Sequence, residues 1–212
     1  MARTTADLIE RLEEFSECFD QVLLWNAMAL RLTDWLRDRG STVTIADPGT
    51  SPHDEDMTPF PAAALDLIVS IGLLDSVNDL PGALLLMRRA LKPGGLLLAS
   101  FVGGGSGTTL RATLQDLEPD ARRTHPLIDV RAGGDLLGRA GFTNIVADSD
   151  ELTIRYPDLA TLVADLRAAA ATNLLIQRRI MTRRLYDALH ARLDPGFTES
   201  LSLVTLTARA PL

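Results

Sequence analysis

The sequence predicts an α/β fold in which a mostly parallel sheet is covered by helices on both faces. Three observations support this prediction. Short apolar segments alternate along the chain with amphipathic segments of helical period. Residues 64–101 contain an apolar strand, a helix and a second apolar strand in succession. The two strands, residues 65–70 and 96–102, are apolar without alternation, which is typical of parallel strands buried on both sides.

The N-terminal part shows the same alternation of helices and strands. Apolar side chains recur every three or four positions in the first helix, and Asn26 and Gly40 are suited to begin and end the second. The strand that follows is β-branched and ends at the turn Asp47-Pro48-Gly49. The predicted elements are helix 4–19, strand 22–25, helix 26–40, strand 42–46 and loop 49–61.

The C-terminal part continues the pattern and ends in a strand expected to be antiparallel. Asn78 is predicted to cap a helix that stops at Pro93-Gly94-Gly95, and Gly141 to end a later helix. The predicted elements after the segment 64–101 are helices 109–117 and 134–140, strand 142–156, helices 159–171 and 178–193, and strand 200–208. The whole chain, residues 1–212, is predicted to form one domain with a helical insertion at about 157–193.

Composition excludes several classes of function. The net charge of −7 and the pI near 4.9 argue against nucleic-acid binding. No apolar run approaches the roughly 18 residues that span a bilayer. The single cysteine, Cys18, excludes a disulfide framework and is predicted to be buried on the first helix. The three histidines lack metal-ligand spacing, so no metal site is expected, and a cytoplasmic protein is predicted.

Several short sequence motifs from residue 64 onward match those of a known family and occur in the same order. They include Asp66-Leu67-Ile68-Val69-Ser70, Val77-Asn78-Asp79-Leu80-Pro81-Gly82, Arg89-Ala90-Leu91-Lys92-Pro93-Gly94-Gly95, Leu136 to Phe142, Arg155-Tyr156-Pro157 and Asp165-Leu166-Arg167. Residues 64–212 thereby resemble the class I S-adenosylmethionine-dependent methyltransferases, which have a Rossmann-like fold. The branch they resemble includes the malonyl-acyl-carrier-protein methyltransferase and an assembly factor of respiratory complex I. Residues 1–63 match this branch poorly.

The resemblance implies S-adenosylmethionine as cofactor and suggests four residues that bind it. Asp47 stands where the family has an acidic residue for the ribose hydroxyls, and a carboxylate can accept two hydrogen bonds from a vicinal diol. Asp54 and Glu55 stand where an acidic pair faces the adenine, and Ser70 ends the strand 65–70. The alternative is that Asp47 is a turn residue and that residues 54–56 form a solvated acidic loop. No catalytic residue is predicted.

The expected glycine-rich loop is missing after the first strand. Residues 22–29 contain no glycine, and Trp25 and Met28 would occupy space meant for the methionine part of the cofactor. Asp75-Ser76 replaces a His-Trp pair of the relatives, and Gly105 replaces an acidic residue. We therefore expect weak binding of S-adenosylmethionine. Two functions remain open: methyl transfer to a small acid or a protein side chain, and a non-catalytic binding or assembly module.

Two further segments have more than one interpretation. Arg178, Arg179, Arg183 and Arg184 are predicted to lie on one helix, as a solvated face or as a docking patch for an acidic protein such as a carrier protein. Residues 103–107 follow a strand and precede a helix, as a dinucleotide-binding loop would, but they lack its third glycine. A flexible rim of the active site is the favoured interpretation.

Overall fold

The structure is a computed structural model that describes residues 2–25, 30–46, 60–169, 171–172 and 179–212. Seven helices and six strands are found in these ranges. In chain order they are α1 (Ala2–Glu13), β1 (Gln21–Trp25), α2 (Leu30–Asp38), β2 (Thr42–Ala46), β3 (Leu65–Ile71), α3 (Leu80–Ala90), β4 (Leu91–Val102), α4 (Thr108–Leu117), α5 (Val130–Arg139), β5 (Thr143–Tyr156), α6 (Leu159–Ala168), α7 (Arg183–Leu193) and β6 (Phe197–Arg209).

The six strands form one sheet in the order β2-β1-β3-β4-β6-β5. β1 is parallel to β2 and to β3, and β3 is parallel to β4 with Ile68 opposite Leu97. β6 runs antiparallel to β4, since Gly94 N–H donates to Ala210 O and Gly103 N–H donates to Ser202 O. The predicted α/β class, the parallel neighbours 65–70 and 96–102 and the final antiparallel strand are confirmed.

Two compact units make up the chain, and the first contains the parallel part of the sheet. It comprises Met1–Phe101, Asp129–Ser149 and Val204–Leu212. One sheet face packs against α1 and α2 through buried leucines and valines, which include Leu8, Leu12, Leu32, Leu36, Leu67, Val69, Leu96 and Leu98. Burying a Leu or Val side chain contributes about 1.5–3 kcal/mol, so each of these residues stabilises the unit.

The second unit comprises Val102–Ile128 and Asp150–Leu203, and it contains the predicted helical insertion. Its core is formed by leucines of three helices: Leu114 of α4, Leu159 and Leu162 of α6, and Leu185, Leu189 and Leu193 of α7. Tyr156 is buried beside them and stacks on Phe197 with 5.7 Å between ring centroids. Burial raises the pKa of Tyr156, and the carboxylates of Asp165 and Glu199 raise it further.

No helix in the described ranges is both long and apolar enough to span a membrane.

The segment around α3 differs from the prediction at both ends. Asp79 caps the helix instead of Asn78, because its Oδ1 accepts a hydrogen bond from Gly82 N at 2.9 Å. The helix ends at Ala90, and the Lys-Pro-Gly-Gly word belongs to β4 instead of terminating α3. Its glycine at position 95 allows close packing, since a Cβ there would lie 2.9 Å from Lys92 O and 3.2 Å from Leu65 O.

The helices α1, α5 and α7 are among those whose bounds differ from the predicted ones. α1 ends at Glu13, so Cys18 lies beyond the helix and is exposed, contrary to the prediction that it is buried on it. α5 begins at Val130 instead of 134, because Asp129 accepts a hydrogen bond from Ala132 N at 2.7 Å. α7 begins at Arg183 instead of 178, because Thr182 caps it through Leu185 N at 3.2 Å.

Candidate functional site

The order in which the chain adds parallel strands to the sheet reverses at β1. At such a switch point the carboxyl ends of the strands border a crevice. From β1 the chain continues to β2 on one side, and β3 pairs with β1 on the other. Trp25, the last residue of β1, lies opposite Ala46 of β2 and opposite Ser70 of β3. In open parallel sheets this switch point is where ligands bind. The carboxyl ends of β1 and β3 are therefore the candidate site.

Ser70 is the one predicted cofactor-binding residue that lies in the described ranges. It is 1% exposed, and its Oγ has no hydrogen-bond partner within the described part of the chain. Leaving a buried hydroxyl unpaired costs about 1–3 kcal/mol. Its register partners are Trp25 and Ala99, so these three side chains share one face of the sheet. A polar group of a ligand at this face would satisfy the hydroxyl.

Trp25 stands where the family has its first glycine-rich segment, and its side chain is partly buried. Trp25 is the register partner of Ser70 on the neighbouring strand, so the two side chains lie on the same face of the sheet at its carboxyl edge. Met28 and Asn26, which the sequence analysis also considered, lie outside the described residues. The expectation that Trp25 or Met28 occupies cofactor space stays a prediction.

Asp47, Asp54 and Glu55 lie outside the described residues as well. Their assignment to the ribose and the adenine of the cofactor therefore stays a prediction. Of the four residues predicted to bind the cofactor, the structure places Ser70 alone, at the switch point of the sheet.

The turn after β3 follows the carboxyl end of that strand and is held by hydrogen bonds. Gly72, with φ of +62°, donates its N–H to Ser100 O of β4 at 2.8 Å. Ser76 donates both its N–H and its hydroxyl to Leu73 O, each at 2.9 Å. The hydroxyl of Ser76 is thus used locally in the turn.

The glycine-rich segment 103–107 lies in the second unit, and its polar groups bond to β6. Gly103 and Gly107 donate their N–H groups to Ser202 O and Ser200 O at 2.8 and 2.9 Å. The hydroxyl of Ser106 donates to Ser202 O at 3.2 Å and accepts from Ser202 N at 2.9 Å. A phosphate-binding loop needs free N–H groups. The dinucleotide-loop interpretation is therefore not supported.

Glu199 accepts hydrogen bonds from backbone N–H groups at the N-terminus of α4, a role that was not predicted from the sequence. Its carboxylate, in a residue only 3% exposed, accepts hydrogen bonds from Thr109 N at 3.2 Å and Leu110 N at 2.6 Å. Gly107 at the N-cap has no side chain to do so. The available signal was an acidic residue within an otherwise apolar and hydroxylic strand, residues 197–208.

A second candidate surface lies in the second unit and is defined here as the arginine surface: residues 179–181 with Arg183 and Arg184. Ile180 is 85% exposed and Met181 is also exposed. Arg183 and Arg184 lie in the first turn of α7, while Arg179 precedes the helix and Arg178 lies outside the described residues. The predicted placement of all four arginines on one helix is therefore wrong, because Thr182 begins the helix later.

Arg123 fixes the backbone of the arginine surface. Its side chain is 8% exposed and pairs with Glu118 at 2.6 Å. The same guanidinium donates to Arg179 O at 3.1 Å and to Ile180 O at 3.3 Å. Two carbonyls are thereby held by a nearly buried cation while the apolar side chain of Ile180 faces solvent. This combination of arginine and exposed apolar side chains is typical of protein interfaces.

A comparison with protein families assigns the fold to one of them. The family model of a methyltransferase domain matches residues 30–147, which is more than half of the chain. The chain belongs to the methyltransferase family. This methyltransferase match begins at Leu30, so it includes part of the segment 1–63 that the sequence analysis treated as divergent.

Two curated relatives of this methyltransferase-family chain match about three fifths of its length. Arginine-hydroxylase NDUFAF5, mitochondrial, of Rattus norvegicus is 36% identical over 136 residues, which is 62% of this chain and 40% of that protein. The malonyl-[acyl-carrier protein] O-methyltransferase of Xylella fastidiosa (strain M23) is 37% identical over 126 residues, or 59% of this chain and 42% of that protein. The chain thus matches about two fifths of the length of these relatives.

A solved structure shares the methyltransferase fold over nearly the full chain. BH2331 of Bacillus halodurans C-125, which is classed as a methyltransferase, has a TM-score of 0.63 and 12% sequence identity. The alignment covers 97% of this chain and 99% of that protein. At this level of identity the comparison supports the fold alone.

Proposed function

We propose that this chain transfers a methyl group from S-adenosylmethionine to an acceptor carried by another molecule. The observation that carries the proposal is the buried hydroxyl of Ser70, which has no hydrogen-bond partner among the described residues and lies at the switch point of a methyltransferase-family sheet. That position is where α/β sheets bind their ligands. When bound, the cofactor supplies a methyl group already activated by the sulfonium, so the chain has mainly to bind and orient the reactants.

Among the described residues, Ser70 is suited to bind a polar group of the cofactor. The hydroxyl of Ser70 can donate or accept a hydrogen bond with a polar group of the cofactor. We further propose that Asp47 accepts hydrogen bonds from the ribose hydroxyls and that Asp54 and Glu55 face the adenine. Loss of the charge-assisted bonds in Asp47→Ala should weaken S-adenosylhomocysteine binding about ten- to 150-fold.

We propose that an acidic protein presents the methyl acceptor by binding to the arginine surface. The relative from Xylella fastidiosa is named for action on an acyl carrier protein. Arg183 and Arg184 stand in the first turn of α7, where the helix dipole disfavours positive charge. An acidic partner would offset that cost. Arg183 lies 4.0 Å from Asp187 and is 95% exposed, so its own ion pair is weak.

The proposed reaction is tested by two measurements on the purified chain. Calorimetric titration with S-adenosylhomocysteine should give saturable binding, and S-adenosylmethionine with a labelled methyl group should label malonyl-acyl carrier protein. The competing function, a non-catalytic binding module, is favoured by the glycine-free segment 22–29. Absence of both binding and labelling would support that module and contradict the proposed transfer.

The arginine surface is tested separately with a charge reversal. Arg183→Glu with Arg184→Glu should weaken binding of malonyl-acyl carrier protein about ten-fold or more, and added salt should weaken binding by the wild type. Arg37→Glu, at an exposed position of α2, is the matched control and should leave this affinity unchanged. Equal loss in both variants would show that general charge, not this surface, governs the association.

A further inference from the structure

A second concave site lies at the amino ends of the strands, opposite the carboxyl edge that carries Ser70. It is a hollow of about 500 Å³ within the first unit. The end of α3, the first residues of β4 and the segment Ala210–Pro211 form its walls. This volume is within the range of small-molecule sites. Neither the family match nor the predicted cofactor residues account for it.

The walls of the hollow are fixed by backbone hydrogen bonds. Ala63 N–H donates to Arg89 O at 2.9 Å and so ties the strand-entry turn to the end of α3. Two bonds join β4 to Ala210, the residue that follows β6: Gly94 N–H donates to Ala210 O at 3.1 Å, and Ala210 N–H donates to Gly95 O at 2.9 Å. The hollow is therefore formed before any ligand arrives, and binding would cost little ordering of the chain.

Most of the lining is apolar. The contributing side chains are Leu85, Leu86, Leu91, Pro93 and Pro211. Leu85 is 47% exposed, although it belongs to a helix whose other face buries Leu84 and Met87. A hydrocarbon chain placed here would remove this apolar surface from water, at about 0.8 kcal/mol per buried CH₂ group.

Two arginines, Arg88 and Arg89, supply the polar part of the lining. The Nε of Arg88 is buried and has no hydrogen-bond partner among the described residues. Its guanidinium packs on Gly141, where a Cβ would lie 3.5 Å from Nε and 3.7 Å from Cζ. Among the described residues, no acidic side chain lines the hollow. The described lining thus combines positive charge with apolar walls and contributes no negative charge.

We propose that this hollow binds an aliphatic carboxylate, with the hydrocarbon chain against Leu85, Leu91 and Pro93 and the carboxylate on Arg88 and Arg89. A guanidinium matches a carboxylate through two parallel N–H bonds, and an arginine at an apolar wall is more weakly hydrated than a lysine. The site is independent of the proposed methyl transfer, since none of its lining residues is at the carboxyl edge.

Octanoate is the probe for this site. Titration of the full chain with octanoate, followed by NMR, should shift the methyl signals of Leu85 and Leu86 with saturation. Octanol lacks the charge and acetate lacks the chain, so each should bind at least about ten-fold more weakly. Equal affinities for octanoate and octanol, or shifts that map to other parts of the protein, would overturn the proposal.

Variants test the charged part and the apolar part of the site separately. Arg88→Gln with Arg89→Gln should weaken octanoate binding about ten-fold or more, whereas Arg37→Gln on α2 should not change it. Leu85→Trp, at an exposed position, should fill the hollow and abolish binding even if the double variant fails to fold. Unchanged octanoate affinity in Leu85→Trp would contradict the assigned site. Binding of S-adenosylhomocysteine should be the same in all three variants and in the wild type.

Discussion

Asp66 and Lys92 form an ion pair that joins the two most recognisable sequence motifs of the chain, residues 66–70 and 89–95. Lys92 Nζ lies 2.7 Å from Asp66 Oδ1, and Asp66 Oδ2 accepts a hydrogen bond from Gln21 N at 2.8 Å. The pair thus connects the amino ends of β1, β3 and β4. These two residues belong to motifs that support the family resemblance, and their ion pair stabilises the end of the sheet opposite the candidate cofactor site.

Removing the charge of Asp66 should lower the free energy of unfolding at neutral pH and make it depend less on pH in acid. Burial alone would raise the pKa of Asp66, but the bonds from Lys92 and Gln21 lower it below its ordinary value. The stabilisation is therefore complete above the unfolded-state pKa of about 3.9 and is lost as the pH falls through the folded-state pKa. Asp66→Asn should lose about 1–3 kcal/mol of unfolding free energy at pH 7.

Urea unfolding of the wild type and Asp66→Asn at neutral and acid pH measures this difference. It should shrink as the pH falls below about 4, because protonation removes the ion pair in the wild type. Asp34→Asn, on the exposed face of α2, is the control and should change the unfolding free energy by less than about 0.5 kcal/mol. A difference that persists unchanged in acid would contradict the assigned role.

Ser70→Ala should weaken ligand binding without loss of stability. Because its hydroxyl is buried and unpaired in the described structure, removing it should leave the melting temperature unchanged or raise it. The affinity for S-adenosylhomocysteine should fall about five- to ten-fold if the ligand uses this hydroxyl. Ser106→Ala is the contrasting variant, since its hydroxyl makes two bonds to Ser202 and its loss should lower stability by about 1 kcal/mol.

Trp25→Ala should strengthen cofactor binding if the indole occupies cofactor space. We expect the wild type to bind S-adenosylmethionine more weakly than about 100 μM, or roughly −5.5 kcal/mol. Trp25 shares a sheet face with Ser70, so a smaller side chain should open the same region. Calorimetry with S-adenosylhomocysteine measures the effect, and Trp35→Ala on α2 is the matched control. Tight binding by the wild type would show that the glycine-free segment accepts the cofactor.

Glu199→Gln should loosen the start of α4 and lower the pKa of Tyr156. Burial is the main reason that the pKa of Tyr156 is raised, and the nearby charges of Asp165 and Glu199 add to it. Removing one charge should therefore shift the titration of Tyr156 towards pH 10, which spectrophotometric titration can follow with Tyr186→Phe as background. Amide exchange at Thr109 and Leu110 should become faster. Unaltered exchange would show that the carboxylate is not the effective cap.

Local sequence patterns predicted most strands because their signals are short and contiguous. β2 has its predicted bounds, and β1 and β3 each differ from theirs by one residue. Helix ends were predicted less well. Asn78 and Asp79 are both good caps, and the choice of Asp79 depends on which side-chain oxygen reaches Gly82 N in the folded chain. Residues 92–95 contain turn residues, yet they lie within β4, at a register irregularity between Leu91 and Leu96, which both pair with β3. Gly94 and Gly95 also bond to Ala210, the residue after β6.

The sequence by itself determined the α/β class, the parallel neighbours β3 and β4 and the methyltransferase resemblance. Buried parallel strands need continuous apolar segments, and such segments can be recognised without any tertiary information. The tertiary structure alone decided that Asp66 pairs with Lys92, that Glu199 satisfies α4 and that the hydroxyl of Ser70 has no partner in the described ranges. Each of these depends on atoms from residues distant in sequence, which only the packing of the elements brings together.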